Sequence, residues 1–132
     1  VLADPGLARE MSNELGPWTV SGPARYLMAR ALQDRAWQVE ARASLRTARL
    51  RMDGLLRQYG MSSPTGTLLF RTVQHPRAAD IADQMACRGI LVRRFDTPAA
   101  LRFGLPPDET GWQRLEGALS ELTYLIDHPH PG

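Results

Sequence analysis

Leu101-Arg102-Phe103-Gly104-Leu105 is the stretch whose reading decides the fold. Successive side chains of a strand point to opposite faces, so Leu101, Phe103 and Leu105 share one face and Arg102 and Gly104 share the other. The first face is apolar and suits a core. On the second, an arginine stands beside a residue with no side chain, which leaves room for a ligand near the guanidinium. That planar fork of donors suits a carboxylate or phosphate. Solvent exposure or an ordinary ion pair would also account for Arg102.

Working outward, residues 90–95 and 67–73 are read as two further strands. Arg93 and Arg94 must then point to opposite faces of the 90–95 strand. One can approach the side of Arg102, and the other can pair with Asp80, Asp83 or Asp96. Structural salt bridging is the default expectation for both, and for Arg71. Phe70, Phe95 and Phe103 are read as core residues. The loop 96–100 can join the last two strands as a hairpin.

Helical spacing fills the rest. Pro23 can open a helix at its first turn, with Ser21 or Gly22 before it. Asp34 can cap a longer helix. The set Trp37, Ala41, Leu45, Ala48, Met52, Leu55 and Tyr59 recurs every three or four residues and predicts one core-facing stripe. Gly60 is a natural stop. Residues 78–88 predict a helix ended by Gly89, and residues 112–126 a terminal helix with Asp108 or Thr110 near its start. The expectation is an α+β fold: a small sheet of three to four strands with helices on one face. A ferredoxin-like module competes, but the second half lacks the needed β-α-β repeat. The expected organisation is 1–22 as the tail of a larger region and a crossover, 23–127 as a small domain, and 128–132 as a frayed tail.

Composition narrows the chemistry. The 132 residues include no lysine, so all 16 Lys+Arg positions are arginine. The chain therefore offers no side-chain amine for a Schiff base and no P-loop lysine. The formal net charge of +2 is a weak nucleic-acid signal. No apolar run is long enough for a bilayer-spanning helix, and no secretion signal is visible at the start. The start at Val1 without Met fits processing or truncation. One cysteine, Cys87, excludes an internal disulfide, fits a reducing, cytoplasmic setting, and is expected to be buried. His75, His128 and His130 do not make a metal set. Asp108 and Glu109 are better explained by capping and surface charge than by acid–base work.

Three fragments carry a resemblance: Leu15-Gly-Pro-Trp-Thr-Val-Ser-Gly-Pro-Ala24, Gly89-Ile-Leu-Val-Arg-Arg-Phe95 and Leu101-Arg-Phe-Gly-Leu-Pro106. With the terminal pattern of Trp112, Leu115, Ala118 and Leu119, their order and spacing resemble the C-terminal domain of fold-type-I pyridoxal-phosphate (PLP) enzymes. The similarity is to the threonine-phosphate decarboxylases of cobalamin biosynthesis, near the histidinol-phosphate aminotransferases, and runs from about Leu15 to Leu125. Residues 18–23 resemble the crossover into the small domain, and Thr65 and Gly66 the turn before its first strand.

The resemblance implies that Arg102 binds the substrate α-carboxylate and that Arg93 is a second substrate-binding position. It implies PLP in the intact parent, held by a lysine of an upstream large domain, with PLP as the electron sink at Cα during decarboxylation. It also implies a phosphorylated amino-acid substrate, a homodimer when intact, and a piece inactive alone with no covalent cofactor of its own. Neither membrane nor nucleic-acid partners are expected. Two other readings stand beside it: the small domain of a histidinol-phosphate-like aminotransferase, and a free-standing RNA-binding or adaptor module suggested by the arginines of residues 42–57.

Overall fold

The computed structural model describes residues 4–16 and 18–127. The chain divides into two compact units, Val1–Val39 and Glu40–Gly132.

In the first unit, α1 (Pro5–Leu15) starts at Asp4, whose carboxylate accepts from the Gly6 and Leu7 amides. It ends at Gly16, which sits at φ 69°. Helix α2 (Gly22–Ala31) is capped by Ser21, as read, with proline in its first turn. Residues 18–20 form no strand, and Trp18 is 89% exposed. Tyr26, Leu27, Met28 and Leu32 are exposed as well.

Helix α3 (Arg35–Gln58) has its Asp34 cap in place, since the Trp37 amide donates to that carboxylate at 2.9 Å. Its expected stripe is buried only toward its C-terminal end. Met52, Leu55 and Leu56 are buried, whereas Trp37 is exposed. Gly60, at φ 79°, ends the helix in the left-handed conformation that glycine tolerates.

The second unit holds a four-stranded antiparallel sheet in the order β1-β2-β4-β3. The strands are β1 (Thr65–Gly66), β2 (Phe70–Gln74), β3 (Arg93–Asp96) and β4 (Ala99–Gly104). Helix α4 (Ala78–Cys87) lies between β2 and β3 in the chain, and α5 (Glu109–Glu121) and α6 (Thr123–Asp127) follow β4. The order excludes the ferredoxin-like alternative. The single terminal helix expected from the sequence is two, parted at Leu122. The four strands and the helices around one core bear out the α+β reading.

That core lies on one face of the sheet. Val73, Leu101 and Phe103 cluster there with Met52 and Leu56 of α3, Ile81 and Met85 of α4, Leu115 and Leu119 of α5, and Ile126 of α6. Leu105 packs against the same cluster, half-buried. His75 is held inside by its ring: the Arg77 amide donates to Nδ1, which leaves Nε2 as the donor to the Ile126 carbonyl at 3.1 Å. Cys87, expected in the interior, is exposed, because the buried stripe of α4 runs through Ala78, Ile81 and Met85. His128, His130 and the expected frayed tail lie outside the described residues. Among the described residues no helix is long and apolar enough to cross a membrane, and no cluster of His, Cys, Asp or Glu is placed to hold a metal.

Asp108 caps α5 by accepting from the Gly111 amide at 2.8 Å. One residue on, Glu109 accepts both arms of the Arg51 guanidinium, at 2.6 and 2.7 Å, while Arg51 stacks over Trp112. The hydrogen bonds from Arg51 hold the Glu109 carboxyl below its ordinary value. A carboxyl depressed in the folded state contributes stability above its unfolded pKa and loses it as pH falls through the folded pKa. The pair is on the surface, so that contribution is small. In Arg51→Ala the NMR titration midpoint of Glu109 is expected to rise to the ordinary glutamate range. A midpoint that stays depressed would show that the helix start, not Arg51, sets it.

Candidate functional site

The face of the sheet opposite the core carries the candidate site. Register fixes its membership. Arg102 of β4 is directly opposite Thr72 of β2 on one side and Arg93 of β3 on the other, and Thr72 is opposite Thr65 of β1. Thr65, Thr72, Arg102 and Arg93 thus form one row across four strands, spaced by about 4.8 Å per strand. The rows on either side contain Phe70 opposite Gly104, and Gln74, Ala100 and Phe95.

An open cavity of about 610 Å³ lies over this face. Phe70, Phe95, Ala100 and Arg102 line it from the sheet, with Ser62, Ser63 and Thr65 at one side. Its described lining has hydroxyls, an amide and a guanidinium but no Asp or Glu. Such a surface offers donors and a positive charge to an anion.

The setting of Arg102 is unusual for an arginine. Its guanidinium lies over the Phe70 ring at 4.7 Å from the centroid and over the Phe95 ring at 5.7 Å. Arg93 lies over Phe95 at 5.2 Å. Among the described residues neither arginine has a carboxylate partner. Like charges directly opposite each other on a sheet repel. The aromatic faces offset part of this, at about 0.5–1 kcal/mol per contact for exposed pairs. A bound anion between or beside the two guanidiniums would offset the remainder. Stacking on a ring leaves the in-plane N–H edge as the direction from which a planar carboxylate is met by two donors.

The structure therefore brings Arg102 and Arg93 together. Arg94 turns to the other face and pairs with Asp96 at 3.1 Å. Phe103 is in the core as read, but Phe70 and Phe95 are not: both lie half-buried on the open face, where register puts them with Arg102. The signal was present in the strand parity, because Phe95 must share a face with Arg93. Arg71 is on the core face and is buried with Asp53.

A small α+β domain that presents a pair of unmatched arginines on an aromatic sheet face is the class that the fold and the site define. No family model matches the chain. It is 44% identical over 118 residues to threonine-phosphate decarboxylase of Pseudomonas aeruginosa, covering 89% of this chain, and 39% identical over 123 residues to that of a Sinorhizobium species, covering 92%. The chain is thus similar to the threonine-phosphate decarboxylases over nearly all its length, and it spans 36% of the length of those two proteins.

Proposed function

We propose that this chain is the substrate-carboxylate-binding small domain of a PLP-dependent L-threonine-O-3-phosphate decarboxylase of cobalamin biosynthesis, completed by an upstream large domain. The observation that carries the proposal is the Arg102–Arg93 pair, opposite each other on β4 and β3 with no carboxylate partner among the described residues, on a chain so similar to those enzymes. Arg102 meets the α-carboxylate with its fork, and Arg93 adds positive charge beside it. Phe70 and Phe95 hold the guanidinium planes.

Binding a group that then leaves as carbon dioxide favours rate only if the contact orients the Cα–carboxylate bond without over-stabilising the ground state. An open, half-buried arginine fits that requirement better than a fully enclosed one. PLP, where bound, supplies the electron sink for the charge developing at Cα. Its covalent attachment needs a lysine, and this chain has none. The Schiff-base lysine would therefore come from outside this chain, whose proposed part is to hold the substrate. An intact homodimer and a cytoplasmic setting belong to the same proposal.

The test uses the pure chain with its terminal amine blocked, and the same chain joined to its upstream domain. The blocked chain is expected to show no Schiff-base absorbance with PLP and no turnover. The joined protein is expected to release carbon dioxide from threonine phosphate. Turnover by the blocked chain alone would reject the need for a second domain. Amino-group transfer from histidinol phosphate without carbon dioxide release would select the aminotransferase reading instead.

A further inference from the structure

The buried pair Asp53 and Arg71 takes no part in the contacts assigned above. We propose that Arg71 is a positioning residue for the cavity: anchored on Asp53, it grips residues 64–67 by their backbone and so fixes the wall beside Arg102. The inference rests on the substrate-binding role proposed for that face.

Three observations support it. First, each of the three guanidinium nitrogens of Arg71 has a partner. Its Nε donates to Asp53 Oδ1 at 2.6 Å, its Nη1 to the Thr67 carbonyl at 3.4 Å, and its Nη2 to the Pro64 carbonyl. The second oxygen of Asp53 is met by Arg49 at 3.3 Å. Second, the gripped segment is short and sharply turned; apart from Arg71 it is held by its ladder with β2, by the Thr67 amide donating to the Phe70 carbonyl at 3.2 Å and by the Thr65 hydroxyl donating to the Thr72 carbonyl at 3.4 Å. Strand β1 is two residues long, and Gly66 sits at φ 127°, where an added Cβ would lie 2.6 Å from the Phe70 carbonyl oxygen. The segment is a tight, irregular turn tied down from behind. Third, its other side is the cavity. Ser62, Ser63 and Thr65 line it, and Thr65 pairs with Thr72, the direct neighbour of Arg102.

Stability alone does not call for such a pair. Taking two charges out of water offsets much of their attraction, and well-packed apolar residues often serve a core as well or better. What apolar residues cannot do is donate to two carbonyls. Arg71, alternating with Phe70 and Thr72 along β2, is placed behind the sheet where it can do so.

The experiment uses the full-length enzyme carrying this chain, with O-phospho-L-threonine as the probe. The variants are Asp53→Leu with Arg71→Met, which removes both charges together, and Arg71→Lys, which keeps the ion pair but loses the fork. Melting temperature, kcat, KM and amide exchange across residues 62–67 are measured. The double variant is expected to melt close to the parent yet show faster exchange in that segment and a KM raised roughly 10-fold, with kcat changed much less. Arg71→Lys is expected to fall between, and it decides the matter if the double variant does not fold. Folded variants with parental KM and parental exchange overturn the positioning role. Arg102→Ala is run beside them. If it leaves KM unchanged, the carboxylate assignment fails, and the exchange rates alone then decide whether Arg71 holds the wall.

Discussion

Arg102→Ala in the full-length enzyme is expected to weaken productive substrate binding more than any other change on the open face. Breaking a buried, hydrogen-bonded charge contact costs about 2–5 kcal/mol. Arg102 is half-buried over an open cavity, so the lower end applies: about 2 kcal/mol, or roughly 30-fold in affinity. Arg102→Lys keeps the charge and loses the planar fork, so it is expected to lie between Ala and the parent. Thermal stability should change little in either variant. The lost stacking on Phe70 and Phe95 is offset by relief of repulsion with Arg93, which stands directly opposite. Cofactor absorbance should be unchanged, since no lysine of this chain is available to hold PLP. Substrate titration at constant cofactor occupancy is the measurement. Near-parental affinity in both variants would remove Arg102 from the carboxylate role while leaving the relationship to the decarboxylases intact.

The sequence made the alternation of β4 legible because its two faces differ so sharply: Leu101 and Phe103 against Arg102 and Gly104. A period-2 pattern of that contrast fixes orientation without knowledge of neighbours. The caps at Ser21, Asp34 and Asp108 were legible for a similar reason, since each is a local side-chain to backbone bond. Register was not legible. Phe70 and Phe95 read as core residues because aromatic side chains in strands are most often buried. Strand parity puts Phe95 on the face of Arg93, but only the pairing of β2 and β3 with β4 shows that Phe70 and Phe95 flank Arg102. The partnership of Arg71 with Asp53 was hidden for the same reason, being a contact between positions 18 residues apart. The apolar stripe of α3 showed a further limit. Periodicity says which residues share a helix face, not how far along the helix a core extends, and Trp37 lies beyond it.

Phe103→Ala is expected to produce the largest loss of stability. The side chain is 1% exposed and is among the largest fully buried ones in the core. Truncating a buried phenylalanine costs about 3–5 kcal/mol, combining lost transfer energy with the cavity left behind. The upper part of that range is expected because Phe103 sits in the central strand pair, opposite Arg71 and packed within the cluster drawn from α3, α4, α5 and α6. These neighbours come from several elements and cannot all collapse toward one gap. The adjacent residue makes the prediction sharp. Arg102 and Phe103 are consecutive in β4 but face opposite ways. Phe103→Ala should lower the unfolding midpoint strongly, yet the fraction that stays folded should bind substrate with near-parental affinity. Arg102→Ala should do the reverse. Denaturant unfolding and substrate titration on the two variants, each below its own unfolding midpoint, give four numbers that must separate in this crossed pattern. If Phe103→Ala kept parental stability, the core would not lie on this face of the sheet. If both variants lost affinity equally at matched folded fraction, the two faces would not be independent, and the assignment of binding to one and packing to the other would have to be given up.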